Sequence, residues 1–151
     1  MKKLLFVLTA FFILTGCATA QVDPVSWKFT TKQISPKVYE VHMIATLKPG
    51  WHIYSQTQPK DAIALPTEFS FTKNPLMNFD GKVKEVGKVE KFYDKTIKAS
   101  ANQYSKTVSF VQKVTLKAAV KTTLAGTVEY QTCDDVKCLP PKKVPFKVSI
   151  G

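Results

Sequence analysis

The sequence contains no arginine: all 22 of its basic residues are lysines, set against 11 acidic residues, and the formal net charge is +11. Proteins that read nucleic acids usually rely on the bidentate hydrogen bonds of an arginine guanidinium. The lysines are also spread along the chain and form no single stripe. We therefore expect no nucleic-acid partner, and we interpret the lysines as a solvated surface with some residual attraction for anionic surfaces.

The sequence also lacks an apolar run long enough to span a bilayer, which requires about 20 residues. Its longest such run, residues 4–14, is uncharged and follows Lys2 and Lys3. A short positive segment followed by a short apolar one is typical of a secretory signal. We predict an exported protein with no transmembrane helix in its mature chain, located in the periplasm or anchored at the membrane of a bacterial cell envelope.

Two cleavage sites are compatible with this export signal. Residues 18–20 read Ala-Thr-Ala and resemble an ordinary signal-peptidase site, which would make 1–20 the signal peptide and 21–151 the mature domain. Residues 14–17 read Leu-Thr-Gly-Cys and resemble a bacterial lipobox, which would make a lipidated Cys17 the first residue of a lipoprotein. The sequence leaves both sites open.

Sustained helical periodicity is absent, whereas the alternation of a half-buried strand recurs throughout. Alternation is clearest in residues 39–47, 108–116, 124–130 and 144–150, and shorter candidates are 27–34, 67–72, 82–89 and 96–101. Turn residues separate the segments at Ser35-Pro36, Lys48-Pro49-Gly50, Asn74-Pro75, Asp80-Gly81 and Pro140-Pro141. We expect residues 56–65 to form a long connection. The pattern predicts one all-β domain, an antiparallel β-sandwich.

Cysteine is scarce, and with Cys17 in the export segment only Cys133 and Cys138 remain for the folded domain. The envelope permits disulfides, and a tight loop can bring two such cysteines within bonding distance. As a structural staple across so short a loop, the bond would contribute only roughly 2 kcal/mol. A pair at a loop is also well placed for exchange with a partner's thiolate. Spacing alone therefore leaves a redox pair and a staple open.

A metal site is the weakest interpretation of the two cysteines, because structural zinc requires four protein ligands. His42 and His52 lack ligand spacing, and we interpret both as ordinary surface or hydrogen-bonded histidines. We expect no metal ligands, although a metal chaperone that uses the thiols with Met43 or Met77 remains an alternative.

Three segments in order carry a family resemblance. Residues 130–141 have the form Tyr-Gln-x-Cys, a short acidic loop, then Cys-x-Pro-Pro. Residues 48–56 contain Pro-Gly-aromatic-x-x-Tyr-x-Gln, and residues 90–95 contain a Phe-Tyr pair. Together they resemble the active-site segment, the aromatic segment and the cap loop of the amino-terminal periplasmic domain of the thiol:disulfide interchange protein DsbD. The match covers nearly the whole mature chain.

The resemblance implies an immunoglobulin-like sandwich that exchanges electrons with thioredoxin-like envelope proteins through Cys133 and Cys138, with no bound cofactor. Cys138 is similar in position to the cysteine that forms mixed disulfides, and Cys133 to its partner. Phe92 resembles the cap residue that shields the disulfide, and an apolar cap keeps thiols protonated and slow to react. The implied aromatic surroundings are Tyr93, Trp51 and Tyr54.

The chain departs from the family pattern in two places. Four residues separate the cysteines, where the best-known members have five, and Lys91 precedes Phe92, where an acidic residue is expected. The membrane conduit and thioredoxin-like domain of the full interchange protein are also missing, so we expect a stand-alone version supplied by another polypeptide. The rival interpretation is a non-catalytic envelope binding module with a structural disulfide.

Overall fold

The computed structural model describes residues 23–151. The export signal, both cleavage sites and Cys17 lie outside this range, so what we infer about them remains a prediction. Within it the chain forms eleven strands and no helix. No helix in these residues is therefore long and apolar enough to cross a membrane.

The strands form three antiparallel sheets. The first contains, from edge to edge, β1 (Val25–Ser35), β2 (Val38–Leu47), β8 (Thr107–Leu116) and β5 (Met77–Gly87). The second contains β11 (Lys142–Ile150), β9 (Thr122–Tyr130) and β4 (Glu68–Phe71). The third contains β10 (Thr132–Cys133), β3 (His52–Tyr54), β7 (Ala99–Tyr104) and β6 (Glu90–Asp94).

The first two sheets pack face to face around the main core. The alternation seen in the sequence puts every second residue of β2 and β8 inside, and Met43, Phe110 and Val128 are fully buried. Aromatic rings join the sheets: the centroids of Phe69 and Phe110 are 5.0 Å apart. This arrangement confirms the predicted all-β sandwich.

The strand boundaries differ from the prediction around Asp80-Gly81. We expected a turn there, but the two residues lie inside β5, where the register against β8 shifts between Asp80 and Lys84. Gly81 has a φ of 73°, a left-handed conformation that a bulge and a tight turn both favour. The prediction of a turn at Asp80-Gly81 was therefore wrong, because the positive φ of Gly81 belongs to an irregularity within β5.

Three strands of the third sheet were not predicted. β3, β6 and β10 contain only three, five and two residues, too few for alternation to stand out. The predicted strand 96–101 is displaced in the structure, because a turn precedes β7 at Ala99 and Lys98 has a φ of 53°. Residues 56–65 form the expected long connection between β3 and β4.

Candidate functional site

Cys133 and Cys138 are joined by a disulfide, with their Cα atoms 4.0 Å apart. Cys133 ends β10 and is 2% exposed, whereas Cys138 is exposed. The two cysteines therefore differ in accessibility, and Cys138 is the more exposed residue of the pair. Attack at one sulfur with the other as leaving group is the geometry that thiol–disulfide exchange requires.

The loop between the cysteines is held by Asp134. Its Oδ1 accepts hydrogen bonds from the backbone N–H groups of Val136 and Lys137, at 2.8 and 2.7 Å, and its own N–H donates to the Lys137 carbonyl at 2.9 Å. The bonds from Lys137 and Val136 lower the pKa of the Asp134 carboxyl. An aspartate commonly closes a turn in this way, and here it fixes a negative charge beside the disulfide.

Strand β3 supplies the neighbours of the buried sulfur. His52 lies directly opposite Cys133 across the β3–β10 ladder, while the next residue, Ile53, points into the main core and is fully buried. Tyr54 is 6% exposed and forms a second, smaller buried cluster with Ala101 and Cys133. Because side chains alternate along a strand, His52 and Tyr54 share the face that carries the disulfide.

A cavity of about 490 Å³ opens over the disulfide, and we call it the disulfide cavity. Among its lining residues are Cys133, Cys138, His52, Tyr54, Phe92 and Ile63. Phe92 stands on β6 opposite Ala101 and is 50% exposed. Ile63, Ile97 and Val136 also line the cavity and are mostly exposed, so an apolar rim surrounds the accessible sulfur.

The long connection 56–65 forms one wall of the disulfide cavity and is fastened to β7. Gln58 donates to the Asn102 carbonyl at 2.8 Å and accepts from the Asn102 N–H at 3.1 Å. Asp61 accepts from the hydroxyl and the N–H of Ser100, at 2.7 and 3.1 Å. These polar side chains replace the strand pairing that the connection lacks, and they bring Ile63 to the rim.

Glu85 of β5 ties the third sheet to the first. Its carboxylate accepts from the Ser55 hydroxyl at 2.7 Å, the Gln56 N–H at 2.6 Å and the Tyr104 hydroxyl at 2.7 Å. Burial, and then the hydrogen bond to Glu85, raises the pKa of Tyr104 well above its usual range. One carboxylate thus holds the end of β3, the start of the long connection and β7 together.

A family model for the amino-terminal region of the thiol:disulfide interchange protein DsbD matches residues 19–150. The chain belongs to this family. The predicted resemblance to the DsbD amino-terminal family is therefore confirmed, and Cys133 and Cys138 of this chain form a closed disulfide. Comparison with curated protein sequences gives no match.

Solved structures agree on the fold. The DsbD N-terminal domain of Neisseria meningitidis in the reduced form is 15% identical, with a TM-score of 0.54, and the match covers 83% of this chain and 85% of that one. The N-terminal periplasmic domain of ScsB from Proteus mirabilis is 17% identical, with a TM-score of 0.57, and the match covers 87% of this chain but 47% of that one. The predicted immunoglobulin-like sandwich of the DsbD amino-terminal family is thereby confirmed.

The four aromatic residues that the DsbD resemblance picked out divide into two pairs. Phe92 and Tyr54 line the disulfide cavity. Tyr93 follows Phe92 on the same strand and lines a neighbouring groove with Gln58 and Pro59. Trp51 precedes β3 and packs against the main core. The structure thus does not place Tyr93 or Trp51 in the disulfide cavity.

His52 is the site residue that sequence reasoning missed in this member of the DsbD amino-terminal family. We interpreted it as an ordinary surface or hydrogen-bonded histidine; Tyr54 does bond its Nε2, at 3.3 Å, but the ring also lines the disulfide cavity. Burial lowers the pKa of His52, with Asp135, Asp134 and Glu90 acting in the opposite direction. Spacing gave no signal, because the pairing of β3 with β10 joins distant parts of the chain.

His42 lies elsewhere, as the sequence suggested. It stands on β2 in the first sheet, with Nδ1 3.3 Å from the Ser109 hydroxyl and Nε2 3.3 Å from Glu40. Within residues 23–151, no three His, Cys, Asp or Glu side chains are grouped so that they could hold a metal ion. The two histidines therefore occupy different environments, and His52 alone of the two belongs to the disulfide cavity.

Proposed function

We propose that this protein is a thiol–disulfide exchange domain of the bacterial envelope, which relays two electrons through Cys133 and Cys138 to or from thioredoxin-like proteins. The unequal exposure of the two sulfurs carries the proposal, because exchange needs one sulfur open to a partner and one held as leaving group. Membership of the DsbD amino-terminal family supports the same function.

The exchange proceeds in two attacks. A partner thiolate attacks Sγ of Cys138, the disulfide breaks, and its electron pair remains on Sγ of Cys133. A second partner thiolate then attacks the partner's own sulfur in the mixed disulfide and releases Cys138 as a thiolate. The partner leaves with a disulfide and the domain holds two more electrons, which the reverse sequence passes to an oxidised protein. Only sulfur chemistry is involved, so the reaction requires no bound cofactor.

Phe92 acts in this proposal as a cap that the partner displaces. Its half-exposed ring borders the disulfide, and apolar surroundings disfavour a thiolate, which keeps the reduced thiols slow to react with stray oxidants. The exposed side chains of Ile63, Ile97 and Val136 offer a docking partner apolar contact around Cys138. Docking and uncovering of the disulfide would then be one event.

We also propose a periplasmic location, with residues 1–20 as a signal peptide and 21–151 as the exchange domain. The periplasmic origin of the ScsB neighbour and the export signal both support this placement. If Cys17 is lipidated instead, the domain is tethered at the membrane surface. The mass of the exported protein distinguishes the two forms, because a lipid adds a large increment to Cys17.

The proposed function can be tested by trapping the mixed disulfide. In Cys133→Ala the exposed Cys138 has no internal partner, so we expect it to capture thioredoxin-fold proteins from an envelope extract in a form that dithiothreitol releases. Cys138→Ala is the matched control, since it leaves only the sulfur that is 2% exposed and should capture far less.

Two outcomes would contradict the proposal. One is capture of no thioredoxin-fold protein by Cys133→Ala. The other is a reduction potential below about −300 mV for the pair, the range of structural disulfides in secreted proteins. Either result would favour the binding module with a structural bond.

A further inference from the structure

The buried sulfur of Cys133 has one ionisable ring directly opposite it. His52 and Cys133 are paired across β3 and β10, which places their Cβ atoms about 4.5–5.5 Å apart on one face. Both side chains line the disulfide cavity. The other members of the buried cluster at Cys133, Tyr54 and Ala101, supply no group that is charged at neutral pH.

This position matters because Cys133 changes its charge in every exchange. It leaves as a thiolate when Cys138 is attacked, and it must become a thiolate again to resolve a mixed disulfide at Cys138. At 2% exposure, burial raises the free energy of that thiolate relative to the thiol. A nearby group that donates a proton in one direction and accepts it in the other would lower the barrier to both steps.

We propose that His52 is this group, and that it exchanges a proton with Sγ of Cys133 in each half of the reaction; the inference rests on the function proposed above. When a partner thiolate attacks Cys138, the disulfide's electron pair passes to Sγ of Cys133 and the His52 imidazolium protonates it. In the reverse step, neutral His52 takes the proton from the Cys133 thiol. The thiolate then attacks Sγ of Cys138, and the partner's sulfur leaves as a thiolate.

The ionisable groups around His52 affect both its donation of a proton and its acceptance of one. The ionisable groups that face it are Tyr54 from β3, Glu90 and Asp94 from β6, and Asp134, Asp135 and Lys137 from the cysteine loop. Burial lowers the pKa of His52 below 6.5, so the ring is mainly neutral at pH 7 and ready to accept a proton. The carboxylates of Asp135, Asp134 and Glu90 favour the imidazolium that results, while Lys137 favours the thiolate.

The inference can be tested with the full chain carrying Cys17→Ser, so that only Cys133 and Cys138 react. The reduced protein is mixed with 5,5′-dithiobis(2-nitrobenzoate), which releases one thionitrobenzoate at Cys138 and a second when Cys133 resolves the mixed disulfide. We expect His52→Gln to slow the second release roughly tenfold at pH 7, the effect of losing one unit of thiol pKa depression. The control His42→Gln should leave both releases unchanged.

A measurement on the protein with His52 intact covers the case in which His52→Gln is poorly folded. The imidazole signals of His52 and His42 are followed by NMR across pH in the oxidised and reduced states. A proton shared with Cys133 couples the two titrations, so the pKa of His52 should differ between the oxidised and reduced states, while that of His42 should not move.

The outcomes separate this inference from the proposed function. If the reduced protein releases no second thionitrobenzoate, the pair does not exchange, and both proposals are overturned. If the second release is equally fast in His52→Gln with the same pH profile, or if the pKa of His52 is the same in both redox states, only the role of His52 is overturned. A slower second release and a redox-dependent His52 titration together support it.

Discussion

At the scale of single residues, Phe92 is an exposed aromatic side chain beside the disulfide cavity. It is an aromatic side chain, which gains free energy from burial, yet half of its surface is exposed over the disulfide cavity. Its neighbour Tyr93 is 53% exposed on the other face of β6. The two residues therefore form a natural comparison, since one borders the disulfide and the other does not.

We expect Phe92→Ala to accelerate reduction of the disulfide by dithiothreitol by about fivefold or more, because the rate of attack depends on access to Cys138. Stopped-flow quenching with a thiol reagent measures that rate. Tyr93→Ala is the control on the same strand and should change it little. Equal rates for the two variants would show that Phe92 does not shield the disulfide.

Site residues that belong to a sequence motif could be predicted, whereas a site residue placed only by the pairing of two strands could not. Cys133, Cys138, Phe92 and Tyr54 stand in recognisable segments, and the structure brings all four to one cavity. His52 stands in the same segment as Tyr54, but its importance comes from the strand that pairs with β3. A single sequence does not reveal which residue lies opposite another in a ladder of two residue pairs.

At the scale of elements, β3 is held in the third sheet by two short ladders and by polar side chains around it. β3 pairs with β7 over two residues and with β10 over two. Ladders this short bury little area, so the hydrogen bonds of Glu85, Gln58 and Asp61 carry much of the positioning. Alternation could predict the long strands of the sandwich, whereas these tethers depend on side chains that meet only after folding.

We expect Glu85→Ala to lower the free energy of unfolding by about 2–3 kcal/mol, because a charged acceptor of three hydrogen bonds is removed and buried donors are left without a partner. Urea denaturation measures the loss. Glu129→Ala is the matched control: its carboxylate pairs with Lys143 at 3.1 Å, but the two side chains are 42% and 69% exposed, so its loss should cost less than about 1 kcal/mol. Similar losses in the two variants would contradict the tether.

At the scale of the whole molecule, Asp23 links the start of the first sheet to the second. It accepts hydrogen bonds from the Val25 N–H at 3.0 Å, the Tyr130 hydroxyl at 2.9 Å and the Lys142 ammonium at 2.5 Å. Partial burial acts to raise the pKa of the carboxyl, but the bonds from Lys142, Val25 and Tyr130 outweigh it and lower the pKa below 3.8.

Because the pKa of Asp23 is lowered in the folded state, the stability of the protein should depend on pH. A carboxyl with a lowered pKa in the folded state adds stability above its unfolded pKa of 3.8 and loses it as the pH falls through the folded pKa. We expect Asp23→Asn to be less stable than the wild type by about 1 kcal/mol at pH 7 and equally stable near pH 2. Thermal unfolding across pH measures the difference. A constant difference at every pH would show that the charge is not responsible.

The overall architecture was the most predictable level, because the long strands that build the main core alternate clearly. β2, β8, β9 and β11 were all recognised, and they supply most of its fully buried residues. The division into three sheets was not predictable, since it depends on long-range pairings such as that of β5 with β8. The sequence predicted a turn at Asp80-Gly81, where the structure has a register shift within β5.

The cysteine loop closes on itself, with one hydrogen bond from Asp134 to Lys137 and another from Leu139 to Thr132, both at 2.9 Å. The loop follows β10, which pairs with β3 and, within residues 23–151, with no strand of the first two sheets. We therefore expect that a residue inserted or deleted between the cysteines changes only the exposed loop and leaves the register of the long strands unchanged. Under the proposed function, a change in the number of residues between Cys133 and Cys138 would alter the reduction potential of the pair while the strands of the sandwich stay in place.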